Sequence, residues 1–138
     1  MLSISAKCRY GILAMLALGE NHGGGLMQIK EIAATKNIPR QYLEQIFNRL
    51  VNAGVVSSVR GKKGGYALSN PPEKICVLDL IEVLEGGIQL TCETGGPPDA
   101  VNELFKETET KLKAEFAITL AELIVRQQTL VANVMYHI

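Results

Sequence analysis

Arg60, Lys62 and Lys63 stand in the run RGKKGG, whose other three positions are glycine. A tight turn that gathers three cations is suited to an anion: phosphate oxygens, or the narrow minor groove that attracts arginine. Upstream, Arg40, Gln41, Tyr42, Glu44 and Gln45 form a second polar cluster. These side chains suit base edges, because Gln reads adenine, Arg reads guanine and Glu accepts from cytosine N4. Gln28 and Arg49 complete the set of candidate DNA contacts. The third chemistry is that of thiols. Cys8, Cys76 and Cys92 are an odd, widely separated set, which fits a reducing bacterial cytoplasm better than a secreted disulfide framework.

The elements that must position these residues can be read from spacing. Pro39 opens a helix in which Tyr42, Leu43, Ile46, Phe47 and Leu50 recur at i, i+3, i+4 intervals, and Gly54 stops it. Residues 55–59 are β-branched and serine-rich, and residues 66–68 pair back across the RGKKGG turn as a short return strand. A shorter helix over residues 27–36, with Ile29, Ile32 and Ala33 inward, precedes the Pro39 helix. The two form a helix-turn-helix, whose second member enters a major groove with its N-terminal residues foremost. The plain alternative is a small helical domain whose polar face is merely solvated. The immediately following wing argues against it.

Ser3 or Ser5 caps a first helix that runs to about Gly19, with Tyr10, Leu13, Ala14, Leu16, Ala17 and Leu18 on its buried side. Lys7 and Arg9 ahead of this stretch faintly resemble a signal peptide, but the helix reading accounts for the same residues. The apolar run 12–18 is much shorter than the ~20 residues a membrane span needs. Formal net charge is zero, yet residues 1–66 hold 9 Lys/Arg against 3 Asp/Glu and residues 67–138 hold 5 against 11, a split of +6 and −6. A basic half facing a polyanion explains that polarity better than even mixing. Enzyme chemistry finds no support: there is no H-E-x-x-H, P-loop or G-x-S-x-G, and only His22 and His137 offer imidazole.

Beyond Pro71-Pro72, residues 75–85 read as an amphipathic helix closed by Gly86-Gly87. Residues 86–98 follow as a Gly/Pro-rich loop holding Cys92. Residues 99–116 place Val101, Leu104, Phe105, Thr108, Leu112 and Phe116 on one stripe of a long helix. Such a stripe is readily buried against a second copy, although packing within the monomer is the alternative. A last helix covers residues 119–129, and 131–138 form an apolar tail. The expected fold is mainly α with a small β-hairpin wing: a winged helix-turn-helix head over 1–85, a sensor-type loop over 86–98, and a dimerisation helix with C-terminal helix and tail over 99–138. Two such heads predict a palindromic operator on double-stranded DNA.

The blocks SAKCRYG, QYLEQIFNRL, NAGVVSSVRGKKGGYAL and DLIEVLEG resemble one family of bacterial winged helix-turn-helix regulators over nearly the whole chain. That family includes the iron–sulfur cluster regulator IscR, the nitric-oxide-sensing repressor NsrR and the cysteine-metabolism repressor CymR. The resemblance implies a homodimeric transcription regulator with the helix around Gln41, Tyr42, Glu44 and Gln45 in the major groove and Arg60 in the minor groove.

Cluster-binding members similar to this chain place three cysteines and a histidine after the Leu-Glu-Gly helix. Here that region offers only Cys92 and then GGPPDAVNELF, with Asp99 and Asn102 near the positions where a Cys and a His are wanted. A complete cysteine-ligated iron–sulfur site is therefore not expected, leaving a site shared between Cys92 and the Cys8 of a second subunit as the low-ranked form. Cys92 alone reads as a redox-sensing thiol or an inert loop residue. Cys8, between two cations near a helix start, is expected to favour thiolate or simply to pack, and Cys76 is expected in the core. The ending Tyr136-His137-Ile138 is similar to that of the cysteine-metabolism repressors, which associate with cysteine synthase. It implies a terminal isoleucine carboxylate offered to that enzyme, or else a tail packed on its own dimer. A regulatory partner protein that has lost DNA binding is the remaining alternative.

Overall fold

Ser5 sets the start of the first helix: its Oγ accepts from the Cys8 N–H at 3.1 Å, capping α1 (Ala6–Glu20). In this computed structural model, which describes residues 1–92 and 95–137, α1 runs through the centre of the core. Cys8, Ala14, Met15, Leu16, Ala17 and Leu18 are all buried in it. The helix-turn-helix follows as α2 (Ile29–Lys36) and α3 (Arg40–Asn52). Asn37 ends α2 in the left-handed conformation, φ 53°, and Pro39 serves as the N-cap of α3 rather than its first helical residue. Leu43, Ile46, Phe47 and Leu50 seat α3 in the core with no exposed surface. Lys36 closes an ion pair to Glu20 at 2.5 Å, tying α2 to the end of α1.

The wing is an antiparallel pair, β1 (Val56–Val59) and β2 (Gly65–Leu68), in the register Val56 to Leu68 through Val59 to Gly65. It is docked from two sides. Met27 and Tyr66 exchange backbone hydrogen bonds of 2.9 and 2.8 Å, and the Tyr66 ring stacks on Phe47 with centroids 4.3 Å apart. The two glycines at the return are steric requirements. A Cβ on Gly64 would lie 2.0 Å from the Val59 carbonyl oxygen, and one on Gly65 would lie 2.6 Å from that of Met27.

A single 3₁₀ turn (Pro72–Lys74) leads to α4 (Val77–Glu85), which buries Val77, Leu80, Ile81 and Leu84. Next in the chain come α5 (Ala100–Phe116) and α6 (Leu120–Tyr136). The start of α6 belongs to the head: Leu120 is fully buried, Val77 N–H donates to the Ile118 carbonyl at 2.8 Å, and Leu120 N–H donates to that of Ile75 at 2.8 Å. The apolar tail expected over residues 131–138 is instead helical as far as Tyr136. No Gly or Pro interrupts residues 119–137, so the backbone ladder continues past Thr129.

Among the described residues the protein thus has six α-helices and one two-stranded sheet, the mainly-α fold with a hairpin wing that the sequence predicts. None of these helices is long and apolar enough to cross a membrane.

Candidate nucleic-acid interface

At 100° per residue, Leu43, Ile46, Phe47 and Leu50 occupy one side of α3 and leave Gln41, Glu44 and Gln45 on the other. All three are exposed, as is Arg40 at the helix start. Asn48 shares that exposed face and escaped the sequence reading, which weighted the N-terminal turn alone. Tyr42 sits at the edge: it is half-buried, its ring 5.3 Å from that of Tyr10 on α1.

Arg60, Lys62 and Lys63 are all exposed at the wing turn. Gln28 braces that turn from the helix-turn-helix, its Nε2 donating to the Lys62 carbonyl across 3.0 Å. Part of its hydrogen-bonding capacity is therefore spent inside the protein. Arg49 is similarly engaged, its Nη1 donating to the Leu84 carbonyl at 2.9 Å.

The loop residues expected to carry the signal are arranged around α5. Asp99 caps that helix: Oδ1 accepts from the Asn102 N–H at 2.8 Å and Oδ2 from the Asn102 amide at 2.9 Å. Thr91 Oγ1 donates to Asn102 Oδ1 at 2.9 Å, and Leu90 N–H donates to Glu109 at 2.7 Å. The side chains at the positions where cluster ligands are wanted are thus occupied in capping and bracing. Among the described residues no three of His, Cys, Asp and Glu converge on a point that could hold a metal ion.

The three thiols are free and unlike one another. Cys92 is exposed. Cys76 is half-buried rather than a core residue, standing at the N-cap of α4 where its backbone bridges to Thr119. Cys8 follows the packed reading and not the thiolate one: it is fully buried, and desolvation, then the Glu85 charge and a hydrogen bond to it, push its pKa up to about 12. Burial beside a carboxylate outweighs the flanking cations, so the thiol stays protonated at neutral pH. One buried, carboxylate-facing thiol and one exposed loop thiol do not fit a cysteine-ligated cluster.

A charged wing seated on a helix-turn-helix, with a long helix leaving Val101, Leu104 and Phe105 exposed, narrows the relatives to consider. Residues 4–126 match the Rrf2 family, described as iron-dependent transcriptional regulators. The protein is an Rrf2-family transcriptional regulator.

Within this Rrf2 family it is 47% identical to the HTH-type transcriptional regulator CymR of Bacillus subtilis over 87 residues. That match spans 63% of this chain and 63% of CymR. Identity to the HTH-type transcriptional regulator IscR of Escherichia coli is 32% over 136 residues, covering 94% of this chain and 84% of IscR. The solved structure of CymR, described as the global cysteine regulator of B. subtilis, superposes with a TM-score of 0.82 at 39% identity. That superposition covers 91% of this chain and 98% of CymR. Transcription regulators of this family bind DNA and act as dimers, and its members are regulators rather than enzymes.

The last candidate set, the C-terminal one, is only partly placed. Tyr136 ends α6 exposed and His137 follows it, the two rings edge-on at 5.8 Å, while Ile138 lies outside the described residues.

Proposed function

We propose that this Rrf2 regulator is a cytoplasmic, cofactor-free homodimeric repressor of genes for cysteine and sulfur metabolism, acting on a palindromic operator. The observation that carries the DNA contact is the joint exposure of Gln41, Glu44 and Gln45 on α3 and of Arg60, Lys62 and Lys63 on a wing braced against the same unit. The helix face reads base edges in the major groove, and Arg60 enters the adjacent minor groove. Arg40, Tyr42 and Gln28 border these contacts. Similarity to CymR supports the sulfur-metabolism assignment. The unfit ligand set around Cys92 supports a signal other than an iron–sulfur cluster.

A cysteine synthase is the proposed protein partner, meeting Tyr136, His137 and Ile138. Because α6 is helical to Tyr136, an enzyme that takes an extended C-terminal peptide must unwind the last turn. Mixing the protein with cysteine synthase tests this: the complex forms on a sizing column and is lost when Ile138 is deleted. Persistence of the complex in the deletion variant overturns the tail assignment. The exposure of Cys92 favours one second reading, control by thiol oxidation. Peroxide then releases DNA from the wild type and not from Cys92→Ser.

A further inference from the structure

Arg49 lies on the recognition helix, at the edge of the face that carries Gln41, Glu44 and Gln45. On a 100° helical wheel it is about 80° from Gln41, about 40° from Gln45 and about 20° from Tyr42, and it is exposed. From there its guanidinium donates to the Leu84 carbonyl at 2.9 Å. Leu84 is the penultimate residue of α4, and the last four carbonyls of a helix have no N–H partner within it. An arginine at that end satisfies an orphan acceptor and complements the negative end of the helix dipole.

The next residue, Glu85, ties the same point to a third helix. Its Oε1 accepts from the Ser5 backbone N–H at 2.7 Å and from the Ser5 hydroxyl at 2.6 Å, joining the α4 terminus to the cap of α1. Those two bonds lead in holding the Glu85 carboxyl below its usual range, with the Cys8 thiol and the Arg49 charge adding to the effect. Immediately beyond lie Gly86 and Gly87, with φ of 87° and 121°, which open the loop carrying Cys92. The end of the DNA-reading helix, the start of α1 and the root of the loop therefore meet at residues 84 and 85.

We infer that Arg49 and Glu85 are positioning residues that set the angle of the recognition helix. Arg49 acts through its hydrogen bond to the Leu84 carbonyl and not on a phosphate. The inference rests on the reading of α3 as the helix that enters the major groove.

The test compares two duplexes: one selected by the wild-type protein from a random-sequence library, and a scrambled version of it. Affinity for each is measured across salt concentrations for Arg49→Ala, Glu85→Ala, Glu85→Gln and, as a reference, Gln45→Ala. Misplacing the helix lowers selected-over-scrambled discrimination by about tenfold in both alanine variants, while the slope of log affinity against log salt stays at the wild-type value. Glu85→Gln keeps an acceptor for Ser5 without the charge, so it falls between wild type and Glu85→Ala, and it carries the test if Glu85→Ala does not fold. A folding defect reduces the active fraction equally on both duplexes and leaves their ratio unchanged. A phosphate contact from Arg49 would weaken both duplexes alike and lower the salt slope by about one, and that result overturns the inference. So does an unchanged ratio in the Glu85 variants while Gln45→Ala loses discrimination. An unchanged ratio in Gln45→Ala itself overturns the underlying reading of α3.

Discussion

Cys8 shows how a tertiary neighbour decides the chemistry of a residue. In sequence it sits between Lys7 and Arg9, which favour thiolate, but Glu85 lies against it from 77 positions away and burial removes the water that a thiolate needs. Arg49 is the same case, since its partner at Leu84 is 35 positions distant. Neither contact was legible from spacing, whereas the exposed cations of the wing and the polar face of α3 were. The thiols give a direct check. Alkylation of the native protein, followed by mass spectrometry, modifies Cys92 first and Cys76 more slowly, and spares Cys8 until the protein unfolds. Rapid labelling of Cys8 in the native state contradicts its placement.

The sign of the Cys8 pH effect follows from its raised pKa. Unfolded Cys8 ionises near 9.0 and the folded one near about 12, so its contribution to stability is complete below about pH 9. That contribution is lost as pH rises through the interval between the two values. Urea midpoints measured at neutral and alkaline pH fall less steeply for Cys8→Ala than for the wild type.

At the scale of elements, α1, α3 and the wing were legible because each carries a strong local signal: periodic apolar residues, a cap, or a glycine turn. The second half of α6 was not. Leu130, Val131, Val134, Met135 and Tyr136 are all exposed on it, so no core-facing stripe distinguishes this helix from an apolar tail. The wing also depends on backbone closeness that composition only hints at. Gly64→Ala drives a Cβ into the Val59 carbonyl at 2.0 Å, and relief requires opening the β1–β2 turn. Its expected effect is at least a tenfold loss of DNA affinity together with a lowered melting temperature, because Val56 and Leu68 of the same hairpin are buried in the core. Phe47→Ala removes a ring that is fully buried and stacked on Tyr66, and it destabilises the fold by ~3–5 kcal/mol in chemical unfolding.

The whole molecule is a head that closes its own core and two helices that do not close theirs. α5 has no buried residue in one subunit, and Val101, Leu104 and Phe105 are 59%, 58% and 41% exposed. Contiguous apolar surface of this kind is what a second copy covers in a family that acts as dimers. Leu104→Glu with Phe105→Glu is expected to convert the dimer to a monomer in analytical ultracentrifugation. The helical content stays close to wild type, because neither side chain supports the head. The charge split follows the same division: the +6 half carries α3 and the cationic wing turn, and the −6 half carries α5 and α6.

The central claim is that two heads, held at a fixed separation, each place α3 and the wing on one half-site. Operator phasing tests it most directly. Affinity is measured for a selected palindromic duplex and for the same duplex with about five base pairs, half a helical turn, inserted between its half-sites. Rotating one half-site to the opposite side of the DNA is expected to weaken binding at least a hundredfold, and inserting a full turn is expected to restore part of it only if the dimer flexes. Equal affinity for the original and half-turn duplexes, with one subunit bound per site, would contradict the account.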